Sequence, residues 1–127
     1  MAKDYRELRV YAAAFEAALE IHRVSDGFPP SERYSLTDQV RRASRSVCAN
    51  LAEAWRRRGY RNHFVAKLGD AQAEAAETAV WLDFALRFEY LDPAIHAQLA
   101  DRYDHVCRQL ELMMQSPNTW LKSSRNL

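Results

Sequence analysis

The sequence predicts an all-α protein built as an antiparallel up-down four-helix bundle. Three observations carry that expectation. The 127 residues include only 3 Gly and 4 Pro, too few turn residues for a many-stranded sheet, while helix-favouring Ala, Leu, Glu and Arg are plentiful. Apolar residues recur at three- and four-residue spacing in four segments. Short breaks rich in Pro, Gly or Asp separate those segments. At 48% hydrophobic and 28% charged, the chain has the composition of one folded domain with a single core. Residues 1–116 are expected to form the bundle and 117–127 a polar, loosely ordered tail.

The first helix is expected from about Tyr5 to Val24, with Asp4 as its cap. Leu8, Tyr11, Phe15, Ala18, Leu19 and His22 share one face at helical spacing and are its expected core stripe. Gly27 and the Pro29-Pro30 pair end it. The second helix starts at Leu36, where Ser35 and Asp38 resemble a capping box, and ends near Arg58, before Gly59. Its stripe is Leu36, Val40, Ala43, Val47, Leu51 and Ala54. The third runs from about Asn62 to Tyr90 and carries two stripes. Phe64, Leu68, Ala71, Ala75, Thr78, Leu82 and Leu86 form one; Glu77, Trp81, Phe84 and Phe88 lie almost opposite. A helix apolar on two sides must be covered on two sides. The fourth opens at Asp92-Pro93 and ends at Ser116-Pro117, with Ile95, Leu99, Val106, Leu110 and Met113 inward and either Arg102 or Tyr103 between them. Short links make sequential helices antiparallel neighbours.

Several classes of function find no support in the residues. Cys48 and Cys107 are two thiols on helices, which suits a reducing cytoplasm rather than a disulfide framework. The polar start Met1-Ala2-Lys3-Asp4-Tyr5 has no signal-peptide core, and no apolar run approaches a membrane span, so the expectation is a cytoplasmic protein with no membrane partner. Bundle metal sites use Glu-x-x-His pairs; none occurs, and His22, His63, His96 and His105 are isolated. There is no Gly-rich phosphate loop or nucleophile elbow. No cofactor, small-molecule substrate or enzymatic activity is expected.

The run Phe28-Pro29-Pro30-Ser31-Glu32-Arg33-Tyr34-Ser35-Leu36-Thr37-Asp38-Gln39-Val40-Arg41-Arg42-Ala43 resembles a stretch of the four-helix-bundle family known as the 23S rRNA intervening-sequence proteins. Ser46-Val47-Cys48-Ala49-Asn50-Leu51-Ala52-Glu53-Ala54 is similar to a second motif, with Ala54 where Gly is usual. Asp70-Ala71, Glu74, Glu77-Thr78, Trp81-Leu82 and Phe84-Ala85 resemble its third-helix pattern. The resemblance implies a bundle that assembles as a ring-like homopentamer, without an assigned biochemical activity in most members. A related branch, the accessory protein of diversity-generating retroelements, binds a reverse transcriptase and nucleic acid through a basic surface.

The residues themselves suggest three candidate surfaces. Net charge is only +1, but residues 31–67 carry nine basic and three acidic side chains, and residues 68–104 two basic and eight acidic. Arg41, Arg42, Arg45, Arg56, Arg57, Arg58, Arg61 and Lys67 form a candidate ridge for RNA or DNA, since arginine pairs bidentately with phosphate. Tyr60 and His63 are interleaved as stacking partners. The competing reading is a solvated face, or pairing with the acidic segment within or between chains. Trp81, Phe84 and Phe88 form a candidate oligomer interface, against an intramolecular core. Gln39, Asn50 and Glu53 are read as a structural polar network fixing helix register rather than as catalytic groups. The predicted partners are therefore copies of the chain itself and nucleic acid or a nucleic-acid-handling protein.

Overall fold

A computed structural model describes residues 2–121. A 3₁₀ turn at Tyr5–Glu7 leads into α1 (Arg9–Ser25), and a second at Pro30–Glu32 precedes α2 (Leu36–Arg56). Then come α3 (Arg61–Arg87), α4 (Pro93–Gln115) and a final 3₁₀ turn at Pro117–Thr119. The protein is an all-α four-helix bundle.

Each helix end has a local cause. Asp4 caps the first 3₁₀ turn in a capping box with Glu7, and α1 itself starts one step later, after Leu8. The start of α2 differs from expectation. Ser35 makes no cap; its hydroxyl donates instead to Glu32 Oε1 at 2.5 Å, and that same oxygen accepts from the Leu36 N–H at 3.3 Å. A carboxylate from the preceding turn thus satisfies the helix N-terminus, where negative charge is favoured. Asp38 is directed outward to Arg42 at 2.8 Å. At α4 the expected cap forms: Asp92 Oδ1 accepts from Ala94 N at 2.7 Å, with Pro93 in the first turn.

The helices touch in the cyclic order α1–α2–α3–α4–α1, leaving α1 and α3, and likewise α2 and α4, on diagonals. Side-chain contacts set the directions. Arg41 and Arg45 reach His22, Lys67 reaches both Asn50 and Glu53, Gln72 reaches Cys107, and Asp83 reaches His96. From Gln72 to Asp83 on α3 the partner on α4 falls from Cys107 to His96, and from Arg41 to Arg45 on α2 the partner at the end of α1 falls from Asp26 to His22, so both of these pairs run antiparallel.

The core follows the predicted stripes on three helices. Val40, Val47 and Leu51 of α2, Phe64, Leu68 and Leu82 of α3, and Leu99, Tyr103, Val106 and Leu110 of α4 are buried. Tyr103, not Arg102, occupies the position left open by the sequence. Helix α1 departs from expectation. Val10, Ala14, Ala17 and Ile21 face the core, while Phe15 and Leu19 of the expected stripe are 44% and 49% exposed. The small Ala14 and Ala17 let neighbouring backbones approach, and the larger apolar residues are rotated to the side. Beyond α4, Pro117 is buried, and Trp120 and Leu121 pack against the core. Residues 122–127 of the expected loose tail lie outside the described residues.

Candidate functional site

The sharpest concentration of exposed positive charge lies where α2 turns into α3. The link is Arg57–Tyr60, and Arg56 and Arg57 project into solvent beside it. Arg58 folds back instead. Its guanidinium sits 3.5 Å over the Trp55 ring, and Nε donates to Trp55 O at 2.9 Å, capping the end of α2. Burial there holds its pKa below the ordinary arginine value. Arg61 donates to Asn118 Oδ1 at 3.1 Å, tying α3 to the last 3₁₀ turn. Tyr60, 65% exposed, lies against His63 with ring centroids 5.8 Å apart.

Two groups that the sequence pattern did not single out join this end. Tyr5 lines the same groove as Arg56 and Arg57, and Arg6 lies 4.5 Å over the Tyr5 ring. Arg6 also bonds Asp4 at 2.7 Å and holds that carboxyl below its usual pKa. Their distance in sequence from the arginine run concealed them. A Tyr-Arg pair next to the first helix start was the available signal.

The predicted ridge is not continuous. Fifteen residues separate Arg41 from Arg56, about 22 Å along a helix. Arg41 is committed to the end of α1: Nε donates to Ser25 Oγ at 2.7 Å, and Nη2 donates to His22 O at 3.1 Å and Asp26 Oδ1 at 2.8 Å. Arg42 is paired with Asp38, and Arg45 turns to His22 Nδ1 at 3.1 Å. Lys67 bridges Glu53 at 2.6 Å and Asn50 Oδ1 at 3.4 Å, and the Glu53 hydrogen bond raises its pKa. Asn50 in turn donates to Ser46 O at 2.9 Å. The polar group therefore consists of Asn50, Glu53 and Lys67 joining α2 to α3. Gln39 stands apart, in the groove beside Trp81.

On α3 the aromatic stripe is largely exposed. Phe84 and Phe88 are 47% and 51% exposed, and Val80, one turn earlier, is 48% exposed. Trp81, half-buried, stacks toward Phe84 at 6.1 Å, and Phe84 toward Phe88 at 5.9 Å. They border a groove of about 560 Å³ with Tyr34, Leu36 and Gln39. Next to the stripe, Glu74 has a raised pKa, from partial burial first and then from hydrogen bonding and repulsion by Glu77. None of the ion pairs among the described residues includes either carboxylate.

The remaining chemistry is muted. Burial pushes the Cys48 thiol up to about 11 and raises Cys107 as well, so both stay protonated at neutral pH. Among the described residues, no three His, Cys, Asp or Glu side chains gather as a metal site requires. Among the same residues, no helix is long and apolar enough to cross a membrane.

Fold and surface together define a four-helix-bundle protein whose candidate sites are exposed faces rather than an enclosed pocket. Residues 6–112 match the family model described as 23S rRNA-intervening sequence protein, and the chain belongs to that family. Among solved structures it is similar to a protein of unknown function from the S23 ribosomal protein family of Bacteroides thetaiotaomicron. The two are 24% identical, with a TM-score of 0.76 over 84% of this chain and 96% of that one. At that identity the likeness speaks for the fold alone. No curated protein matches the chain.

Proposed function

We propose that this protein is a non-enzymatic, cytoplasmic homo-oligomer, a pentamer by family resemblance, that binds the backbone of a nucleic acid. The carrying observation is the end of the bundle where exposed Arg56 and Arg57 line a groove with Tyr5, over which Arg6 lies, and where the α2–α3 turn adds exposed Arg61 and the Tyr60–His63 pair. Arginines supply phosphate contacts and the rings supply sequence-tolerant stacking. The family's association with 23S rRNA insertions is consistent with this reading. Assembly through the Trp81, Phe84 and Phe88 face repeats the basic end in each copy, so weak contacts add through multivalency.

Anisotropy of labelled RNA and DNA across a salt series tests it. Affinity is expected to fall steeply with salt, and Arg56→Ala/Arg57→Ala/Arg61→Ala is expected to weaken binding at least tenfold and flatten the salt slope by about 2–3. Binding indifferent to salt, or unchanged in the triple variant, would sink the proposal. A second reading, a scaffold that binds only protein, is favoured by the partners already held by Arg41, Arg42 and Lys67. It predicts no nucleic-acid signal at any salt, with the oligomer intact.

A further inference from the structure

The α1 residues that fail to reach the core form a second uncovered apolar surface. Phe15, Ala18 and Leu19 border a groove of about 460 Å³ between α1 and α2, closed by Cys48 and rimmed by His22 and Arg45. Groups of large apolar side chains are thus exposed on α1 (Phe15, Leu19) and on α3 (Val80, Phe84, Phe88), which lie on a diagonal of the bundle, besides the single Leu112 of α4.

The charges beside the two surfaces are complementary. Arg45 also borders the groove holding Glu74 and Glu77 of its own chain, yet its guanidinium turns the other way, onto His22 Nδ1. Among the described residues, Arg45 at the α1 groove makes no ion pair with a carboxylate, and Glu74 and Glu77 beside the α3 stripe make none with a cation. Apposing two α3 stripes would leave the α1 groove uncovered and Arg45 without a carboxylate. Apposing stripe and groove brings Glu77 toward Arg45 and covers both apolar surfaces.

We propose that the α1 groove around Phe15 and Leu19 receives the Val80–Phe84–Phe88 stripe of a second copy of this chain. The contact is then heterologous: each copy offers its stripe to one neighbour and its groove to another. The proposal rests on the homo-oligomer of the proposed function and specifies which surfaces build it.

Two variants test it by complementation. Phe15→Glu/Leu19→Glu disables the groove and keeps the stripe; Phe84→Glu/Phe88→Glu disables the stripe and keeps the groove. All four positions are substantially exposed, so helix content by circular dichroism should stay at the wild-type level. Sedimentation velocity should show an oligomeric wild type and each variant alone as a monomer. An equimolar mixture should form a one-to-one dimer, because one intact stripe meets one intact groove. A groove variant that assembles like wild type overturns the proposal while leaving the α3 interface standing. A monomeric wild type overturns the homo-oligomer itself. Should the groove variant lose its helix content, the charge pair supplies an independent test: Arg45→Glu should weaken assembly at least tenfold, and adding Glu77→Arg should restore it. Failure of that restoration counts against the stripe-in-groove contact.

Discussion

Two buried hydroxyls in the bundle behave differently, and the difference can be measured. Thr78 on α3 is fully buried, and its Oγ1 donates to Glu74 O at 2.8 Å, so it keeps a hydrogen bond on leaving water. Tyr103 on α4 is 1% exposed, and its hydroxyl has no hydrogen-bond partner among the described residues. Burial pushes its pKa up, so the phenol stays neutral and carries only an unsatisfied O–H. A polar group buried without a partner costs about 1–3 kcal/mol. Tyr103→Phe removes the stranded hydroxyl and keeps the ring, so it should leave stability unchanged or raise it by up to about 1 kcal/mol. Urea unfolding followed by circular dichroism checks this. A loss of more than about 1 kcal/mol would show that the hydroxyl is bonded in solution, for instance through a trapped water.

Among the elements, α3 is the one whose ends and faces set the surface. The sequence carried it to Tyr90, but it stops at Arg87 because Glu89 turns left-handed, with φ of 62°. The N–H of Glu89 then bonds Leu86 O and that of Tyr90 bonds Ala85 O, both at 2.9 Å, which is the Schellman arrangement. That position ordinarily holds glycine, and no glycine marked the stop. An L-residue there carries about 1–2 kcal/mol of strain, and a carboxylate at a helix C-terminus is further disfavoured. Glu89→Gly should therefore stabilise the protein by roughly 0.5–1 kcal/mol after the greater freedom of glycine in the unfolded chain is counted. A lowered midpoint in thermal or urea unfolding would contradict it.

Local chemistry was readable from the sequence, and contacts between helices were not. The boundaries at Asp92-Pro93 and Ser116-Pro117 were legible because proline and aspartate act locally. The second face of α3 was legible because its aromatics recur at helical spacing. On α1, apolar residues run from Val10 to Leu19 with Glu16 the single charge among them, so periodicity could not choose between neighbouring faces. The arginine-rich composition of the candidate site was equally plain. Which arginines are already engaged was not, because Arg41 meets Ser25 and Asp26 only once α1 and α2 close on each other.

For the whole molecule, the basic end and the aromatic stripe lie far apart on one rigid helix. Arg61 opens α3 and Phe84 falls 23 residues later, about 35 Å along the axis, so no side chain at the stripe can touch a strand of a few nucleotides bound at the α2–α3 turn. Any influence of the stripe on that contact must therefore pass through assembly. If each basic end binds weakly and the oligomer joins several, a long strand gains effective concentration from its second contact onward, whereas a strand long enough for one end gains nothing. Phe84→Glu/Phe88→Glu should thus leave affinity for a strand of about six nucleotides unchanged and weaken binding to one of about forty nucleotides by roughly 10²-fold. The salt slope for the short strand should also stay the same, since no phosphate contact is lost. Anisotropy titrations of both strands with wild type and variant decide the matter. A preference for long strands that survives in the monomeric variant would show that one bundle suffices for binding and that assembly serves something else.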